Sequence, residues 1–434
     1  MARPHRPLPS LSRRRVLALG GVGALGASLA ACGDNTGRGG STGPDGAGSS
    51  GGGRPRIAQW YHQYGEAGTQ EAVERYAADY EPADVTVSWK PGDYDQSTAA
   101  SLLTDSGPDV FEYGNGPTID MIRGDQVADL TDLFGDTLDD FTPSLIERMT
   151  YDGKVWAVPQ VVDTQVLVYR RSLLEQAGIE PPQQISELVE AARELTRDDV
   201  KGLFLGNDGG AGLLGGPMLW AAGLDYLDGE QVGFDSAGAP EALSVLRTLW
   251  TDETVLLGQA KDWFDPDALT SGRAAMQWTG LWTFPMIAEA LGDDFGVIPW
   301  PAMEGGAPSV PVGAYGSCVS TRARDVQAAQ DFVRWLWIEQ TDKQLDFATA
   351  YGFHLPSRTS LVPEADVLSS GPAADAAGYV AEHGHAQTPL LWTPQSATAW
   401  SDMMNRIVRD GADPQAELDA LVPVVEAELE RVTG

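Results

Sequence analysis

The stretch YDGKVWAVPQVVDTQVLVYRRSLLEQAGIEPP, residues 151–182, decides the fold class. KVWAVP and QVLVYR are short apolar runs of strand character, close together in the chain. In both directions such runs alternate with helical segments. RIAQW reads as a strand, residues 70–80 put Val73, Tyr76, Ala77 and Tyr80 on one helical face, and DVTVSW alternates as a strand should. PDVFEYG, GLFLG, AAMQW and FGVIPW add further strands, and helices are expected at 186–197, 240–251 and 325–338. In the last of these, Val326, Ala329, Phe332, Val333, Leu336 and Trp337 recur at three and four, which assigns Trp337 to a core. The chain is thus α/β with mostly buried strands. No internal repeat or composition break marks a linker, so a two-lobed division has to be made by strands that cross between lobes.

Upstream of this pattern, the first 31 residues read as an address. Five arginines precede an uncharged run from Val16 to Ala31. Sixteen helical residues span ~24 Å, short of a ~30 Å bilayer core, so a cleaved export signal fits better than a stable span. Ser12, Arg13, Arg14, Arg15, Val16 and Leu17 resemble the twin-arginine export motif, with Sec export as the alternative. Leu29, Ala30, Ala31 and Cys32 resemble a bacterial lipobox, which makes Cys32 the expected lipidation site. Residues 32–54 follow as a tether: ten glycines lie among the 22 residues from Gly33 to Arg54, giving an r.m.s. reach of about 25 Å. Two motifs there carry no chemistry. Gly21, Gly23 and Gly26 spell GxGxxG inside the signal, and GGSTG spells GxSxG inside the tether, each without the strand and helix its mechanism needs.

The formal charge is −33, and removal of residues 1–31 takes it to −38 because five arginines leave with no acid. Such a chain repels nucleic acid and anionic lipid, so any membrane association is expected through the anchor alone. Cys318 is the only cysteine besides Cys32, so a lipidated Cys32 excludes an internal disulfide. About 380 residues supply enough core for two domains. No HExxH, CxxC or P-loop pattern occurs after the signal, and no cofactor is expected. His383 and His385 flank Gly384 but have no nearby ligands to complete a metal site. With 62 carboxylates in the chain, a glycosidase pair cannot be nominated from sequence.

Aromatics placed beside short polar residues are more informative. WYHQYGE (60–66), EYGNG (112–116), WTGLW (278–282) and VGAYGS (312–317) each follow a strand. Ligands of open α/β sheets sit beyond the carboxyl ends of strands, where these clusters fall. Aromatic faces cover the C–H face of a sugar while amides and carboxylates bond its hydroxyls, so the mixture suits a neutral polyol.

The chain resembles the extracellular solute-binding proteins of carbohydrate ABC transporters, the broad family that includes maltose-binding protein. The resemblance covers essentially the whole mature chain and rests on SGPDVFEYG (106–114), the 151–182 block, GRAAMQWTGLW (272–282) and YGFHLPSR (351–358), in that order. It implies a two-lobed periplasmic-binding-protein fold of type II, lobes joined by crossing hinge segments, and a ligand cleft between them. One lobe would comprise 55–160 and 300–360, the other 161–299 and 361–434. Carried over by position, Tyr61, Tyr64, Glu66, Tyr113 and Asn115 would face ligand from one lobe, and Asp163, just past the crossing segment, would accept from the ligand's hydroxyls; Trp220, Gly280, Trp282, Gly313, Tyr315 and Trp400 would complete the cleft. Arg358 would be structural or at the cleft edge. Leu281 and GAYG depart from the family pattern and alter the cleft there. The resemblance implies a monomeric, membrane-anchored sugar-capture protein serving a permease, outside the cytoplasmic membrane and without catalysis. The same fold holding a polyamine, peptide or metal chelate, and a secreted glycoside hydrolase, are the alternatives.

Overall fold

The computed structural model describes residues 53–434. The export segment, Cys32 and the tether up to Gly52 lie outside the described residues. Two sheets organise the rest. In the first, strand order runs Asp84–Lys90, Arg56–His62, Val110–Gly114, Tyr315–Val319, Val158–Pro159. Its first three strands are parallel, joined through helices, and Tyr315–Val319 runs antiparallel to the neighbour on each side of it. Right-handed crossovers leave helices to cover such a sheet, and helix Thr69–Asp79 does so with Ala72, Val73, Tyr76 and Ala77 buried.

The second sheet is built on the long strand Val161–Tyr169, which is buried along most of its length. Leu355–Pro356 pairs with residues 161–162, Val310–Gly313 with 163–164, Ala274–Gly280 with 165–169 and Gly296–Ile298 with 167–169. Lys201–Phe204 and Gly384–Ala386 extend it on either side. The chain changes sheets within one residue at two places: Val158–Pro159 lies in the first sheet and Val161–Tyr169 in the second, and likewise Val310–Gly313 and Tyr315–Val319. Gln160 and Ala314 are the crossing residues, tied by the Gln160 N–H donating to the Tyr315 carbonyl at 3.1 Å. Strand Val310–Gly313 therefore belongs with the second sheet, which moves the return crossing from near residue 300 to Ala314. The pairing of Val312 with Thr164 and Gly313 with Asp163 is the reason.

Each lobe has its own core. Tyr76, Phe134, Phe332 and Trp337 pack under the first sheet. Leu188, Leu246, Trp278, Trp300 and Trp400 pack in the second lobe. A third cluster runs beneath the crossings, from Phe111 through Val162 and Val166 to Phe284. The expected helices are Ile185–Leu195, Gly238–Thr251 and Val326–Arg334, the last continuing as a π-helical turn over Trp335–Glu339 with Trp337 buried.

Trp278 on strand Ala274–Gly280 is fully buried and meets Trp300 edge-to-face at 5.4 Å. Trp278→Ala is expected to lower unfolding free energy by about 3–5 kcal/mol in urea titrations, since the cavity cannot close. A loss below about 1 kcal/mol would contradict this packing.

Candidate functional site

Between the lobes lies a cavity of about 820 Å³. Its first-lobe wall comes from the loop that leaves Arg56–His62 (His62, Tyr64, Glu66), from Asn115 just past Val110–Gly114, and from Tyr315 at the start of its strand. Its second-lobe wall comes from Asp163 and Gln165 on the long strand, Trp282 just past Ala274–Gly280, and Trp263 and Phe264 on a loop. His354 and Gln387 close the base. Strand ends supply most of these positions because that is where sheet hydrogen bonding stops and side chains are free to converge.

The aromatic walls are held from behind. His62 stacks on Tyr315 at 4.1 Å and lies 3.8 Å from Tyr64. The Trp282 indole N–H donates to the Phe264 carbonyl at 3.1 Å, and its ring meets Trp263 edge-to-face at 5.7 Å. Gly280 makes this possible: a Cβ there would fall 2.0 Å from the Trp282 ring. Gly313 plays the same part for Gln387 and Asn115, whose side-chain oxygens would lie 2.6 and 2.8 Å from an added Cβ. Phe264 is 53% exposed and Met286 47% exposed, so the second-lobe wall presents apolar surface to the cavity.

Charge in the cleft is arranged in pairs. The His354 ring places Nδ1 2.6 Å from Asp163 and Nε2 3.4 Å from Glu66. Burial alone would lower the His354 pKa, but Asp163 and Glu66 together push it up to about 10, so the ring is an imidazolium at neutral pH. Burial would raise Glu66, but its bond to His354 and that ring's charge hold it below the usual carboxylate range. On the first-lobe wall the buried Glu112 accepts from the His62 backbone N–H at 2.7 Å and from the Tyr64 hydroxyl at 2.8 Å, with the His62 ring at 2.5 Å. Asn115, held at φ 59°, exchanges hydrogen bonds with Ala314 and donates to Gln387 at 3.0 Å, tying the wall to the crossing.

A model of bacterial extracellular solute-binding proteins matches residues 71–376. The chain belongs to that family. It is 22% identical to the galactooligosaccharide-binding protein of Bacillus subtilis over 431 residues, 94% of this chain and 95% of that one. It is 22% identical to the maltotriose-binding protein of Pyrococcus abyssi, over 83% of this chain and 78% of that one. The GacH receptor of Streptomyces glaucescens, solved unliganded and with acarbose, superposes with a TM-score of 0.75 at 23% identity, covering 87% of this chain and 99% of that one. The two-lobed periplasmic-binding-protein-like fold is shared with such structures.

Within this solute-binding protein, Tyr64, Glu66, Asn115, Asp163, Trp282 and Tyr315 line the 820 Å³ cavity, while Gly280 and Gly313 give Trp282 and Asn115 their room. Four expected residues lie elsewhere. Tyr61 is fully buried beside Gln59, which donates to its hydroxyl at 2.7 Å. Its strand runs on to His62 rather than ending at Trp60, so alternation turns Tyr61 inward and gives the cavity to His62. Tyr113 is buried within Val110–Gly114, a strand whose first four residues are all buried. Trp220 donates to Asp225 at 3.0 Å and stacks on His385. Trp400 packs among Tyr226, Phe234 and Trp392. Arg358 bonds Asp140 at 2.7 Å and the Ile338 carbonyl at 3.0 Å, a structural tie outside the cavity lining. His62, His354, Gln387 and the Trp263–Phe264 pair escaped sequence reasoning. For the last the signal was present in KDWFDPD (261–267), an aromatic pair set among charges.

The His354 pairing has a pH signature. Its folded pKa lies above the ordinary 6.5, so the stabilisation is complete below that value and is lost as pH rises through about 10. Thermal midpoints of the native protein are expected to fall between pH 7 and 10.5 more steeply than those of His354→Gln. Parallel curves would show that the pair contributes nothing to folding.

Proposed function

We propose that this protein is the extracytoplasmic receptor of an ABC importer for a saccharide of more than one ring. The observation that carries the reading is the 820 Å³ cavity whose two walls, one from each lobe, both combine aromatic rings with hydrogen-bonding side chains. That volume lies in the upper part of the ~300–1,000 Å³ range of small-molecule sites. Sugar faces would lie against Tyr64, Tyr315, Trp263 and Trp282, and their hydroxyls would donate to Glu66 and Asp163 and pair with Asn115 and Gln165. Tyr61, Tyr113, Trp220 and Trp400 would act from behind these walls. The names of the whole-length relatives, which bind galactooligosaccharide and maltotriose, support this ligand class.

The mechanism follows from the two crossings. Hinge motion about Gln160 and Ala314 would bring the walls together, and a ligand touching both stabilises the closed form because only that form makes both sets of contacts. A permease would then read the closed shape. Cleavage of residues 1–31, lipidation of Cys32 and the tether would hold the receptor as a monomer on the outer face of the membrane. Among the described residues no helix is long and apolar enough to cross a membrane, which accords with anchoring by lipid. No step in this cycle makes or breaks a covalent bond in the ligand.

Isothermal titration against mono-, di- and oligosaccharides tests the reading. Saturation at one ligand per chain is expected, with Trp282→Ala weakening affinity roughly tenfold or more, as loss of a central aromatic contact does. Heat that continues after each injection would instead mean hydrolysis, and silence across the panel would mean a solute of another class.

A further inference from the structure

One carboxylate lining the cleft's main cavity makes no ion pair with the cations there. Lys261 pairs with Asp265 at 3.1 Å, and His354 is held between Asp163 and Glu66. His62 is committed to the buried Glu112. Asp95, at the start of helix Tyr94–Ser101, forms no ion pair among the described residues, and its Oδ1 is buried without a hydrogen-bond partner. Burial pushes its carboxyl up to about 6, against the pull of the Gly114 backbone N–H and with Glu112 adding to the rise. The field of His62 also reaches it, but that single charge is shared with Glu112.

Asp95 borders two spaces at once. It lines the main cavity and a second chamber of about 450 Å³ that opens beside it, where Asp93 and Tyr94 join the wall. Tyr64 and Tyr315 also face both. Closure over a neutral sugar would withdraw water from Asp95 and leave its charge opposed only by hydroxyl dipoles. A buried charge without a counterion is costly, and an ammonium brought by the ligand to the cavity face of Asp95 supplies the missing charge. The tyrosine rings would add attraction to a cation.

We infer that the Asp95 end of the cleft receives a protonated amino group, and that the ligand is an amine-bearing saccharide rather than a wholly neutral one. This rests on the saccharide reading above and narrows it.

The test titrates the purified protein with di- and trisaccharides in matched pairs, each neutral sugar beside the analogue carrying a free amine in place of one or more of its 2-hydroxyls. Cellobiose and cellotriose are paired with the β-1,4-linked glucosamine dimer and trimer, and lactose with lactosamine bearing an unacetylated amine. The amine member of at least one pair is expected to bind about tenfold or more tighter than its partner, the size of one charge-assisted hydrogen bond. Asp95→Asn should erase that preference, so that the amine and neutral members of a pair bind within a few-fold of each other, and Asp136→Asn, exposed and outside the lining of both chambers, should leave the preference intact. Neutral sugars that bind as tightly as or tighter than their amine partners in the native protein would overturn the inference and leave the saccharide reading standing. Silence toward both members of every pair would overturn the two together.

Discussion

Strand Val161–Tyr169 takes its hydrogen-bonding partners from four different segments in succession, and that constraint sets the geometry of everything else. A buried strand must satisfy every backbone donor and acceptor, and here the partners come from residues as distant as 274–280 and 355–356. The first sheet ends one residue before it, at Pro159, and is re-entered one residue after its partner Val310–Gly313. The chain passes between the lobes a third time after helix Thr341–Thr349, whose Phe347 and Ala348 pack in the first-lobe core before Leu355–Pro356 pairs in the second sheet, so three short passages would have to flex in any hinge motion.

The same strand places Asp163 in the cleft, and Asp163 is where the electrostatics of the two lobes meet. His354 bridges it to Glu66 on the first-lobe loop, so an imidazolium sits at the base of the cavity with a carboxylate on either side. In a site that loses water on closure, such pairing keeps charges from being stranded. Asp95 makes no ion pair among the described residues, and it borders both chambers.

Much of this was legible in the sequence, for definable reasons. Buried helices announce themselves by spacing: Ile185, Leu188, Ala191, Ala192 and Leu195 mark one such face. The strand-end clusters located Tyr64, Glu66, Asn115, Trp282 and Tyr315 because a loop leaving a strand end is set by short-range pattern. Tyr61 was misplaced by the length of its strand, since two more residues of pairing invert which side chain faces the cavity. Trp400 belongs to a helix whose buried residues Trp400, Met403 and Met404 continue into Ile407, so helical spacing argued for the core where position in a resemblance argued for the cleft. His354 and Gln387 could not be found locally at all. Each reaches the cavity only through contacts nearly two hundred or more residues away along the chain, Asp163 for one and Asn115 for the other.

The central claim is that one ligand bridges both walls and closes the lobes about Gln160 and Ala314. Small-angle X-ray scattering of the protein alone and saturated with a saccharide identified by titration measures that directly. A smaller radius of gyration on saturation, reversed when the sugar is removed, is the predicted result. Scattering curves that superpose with and without bound sugar would contradict the account, because binding would then leave the lobes where they were.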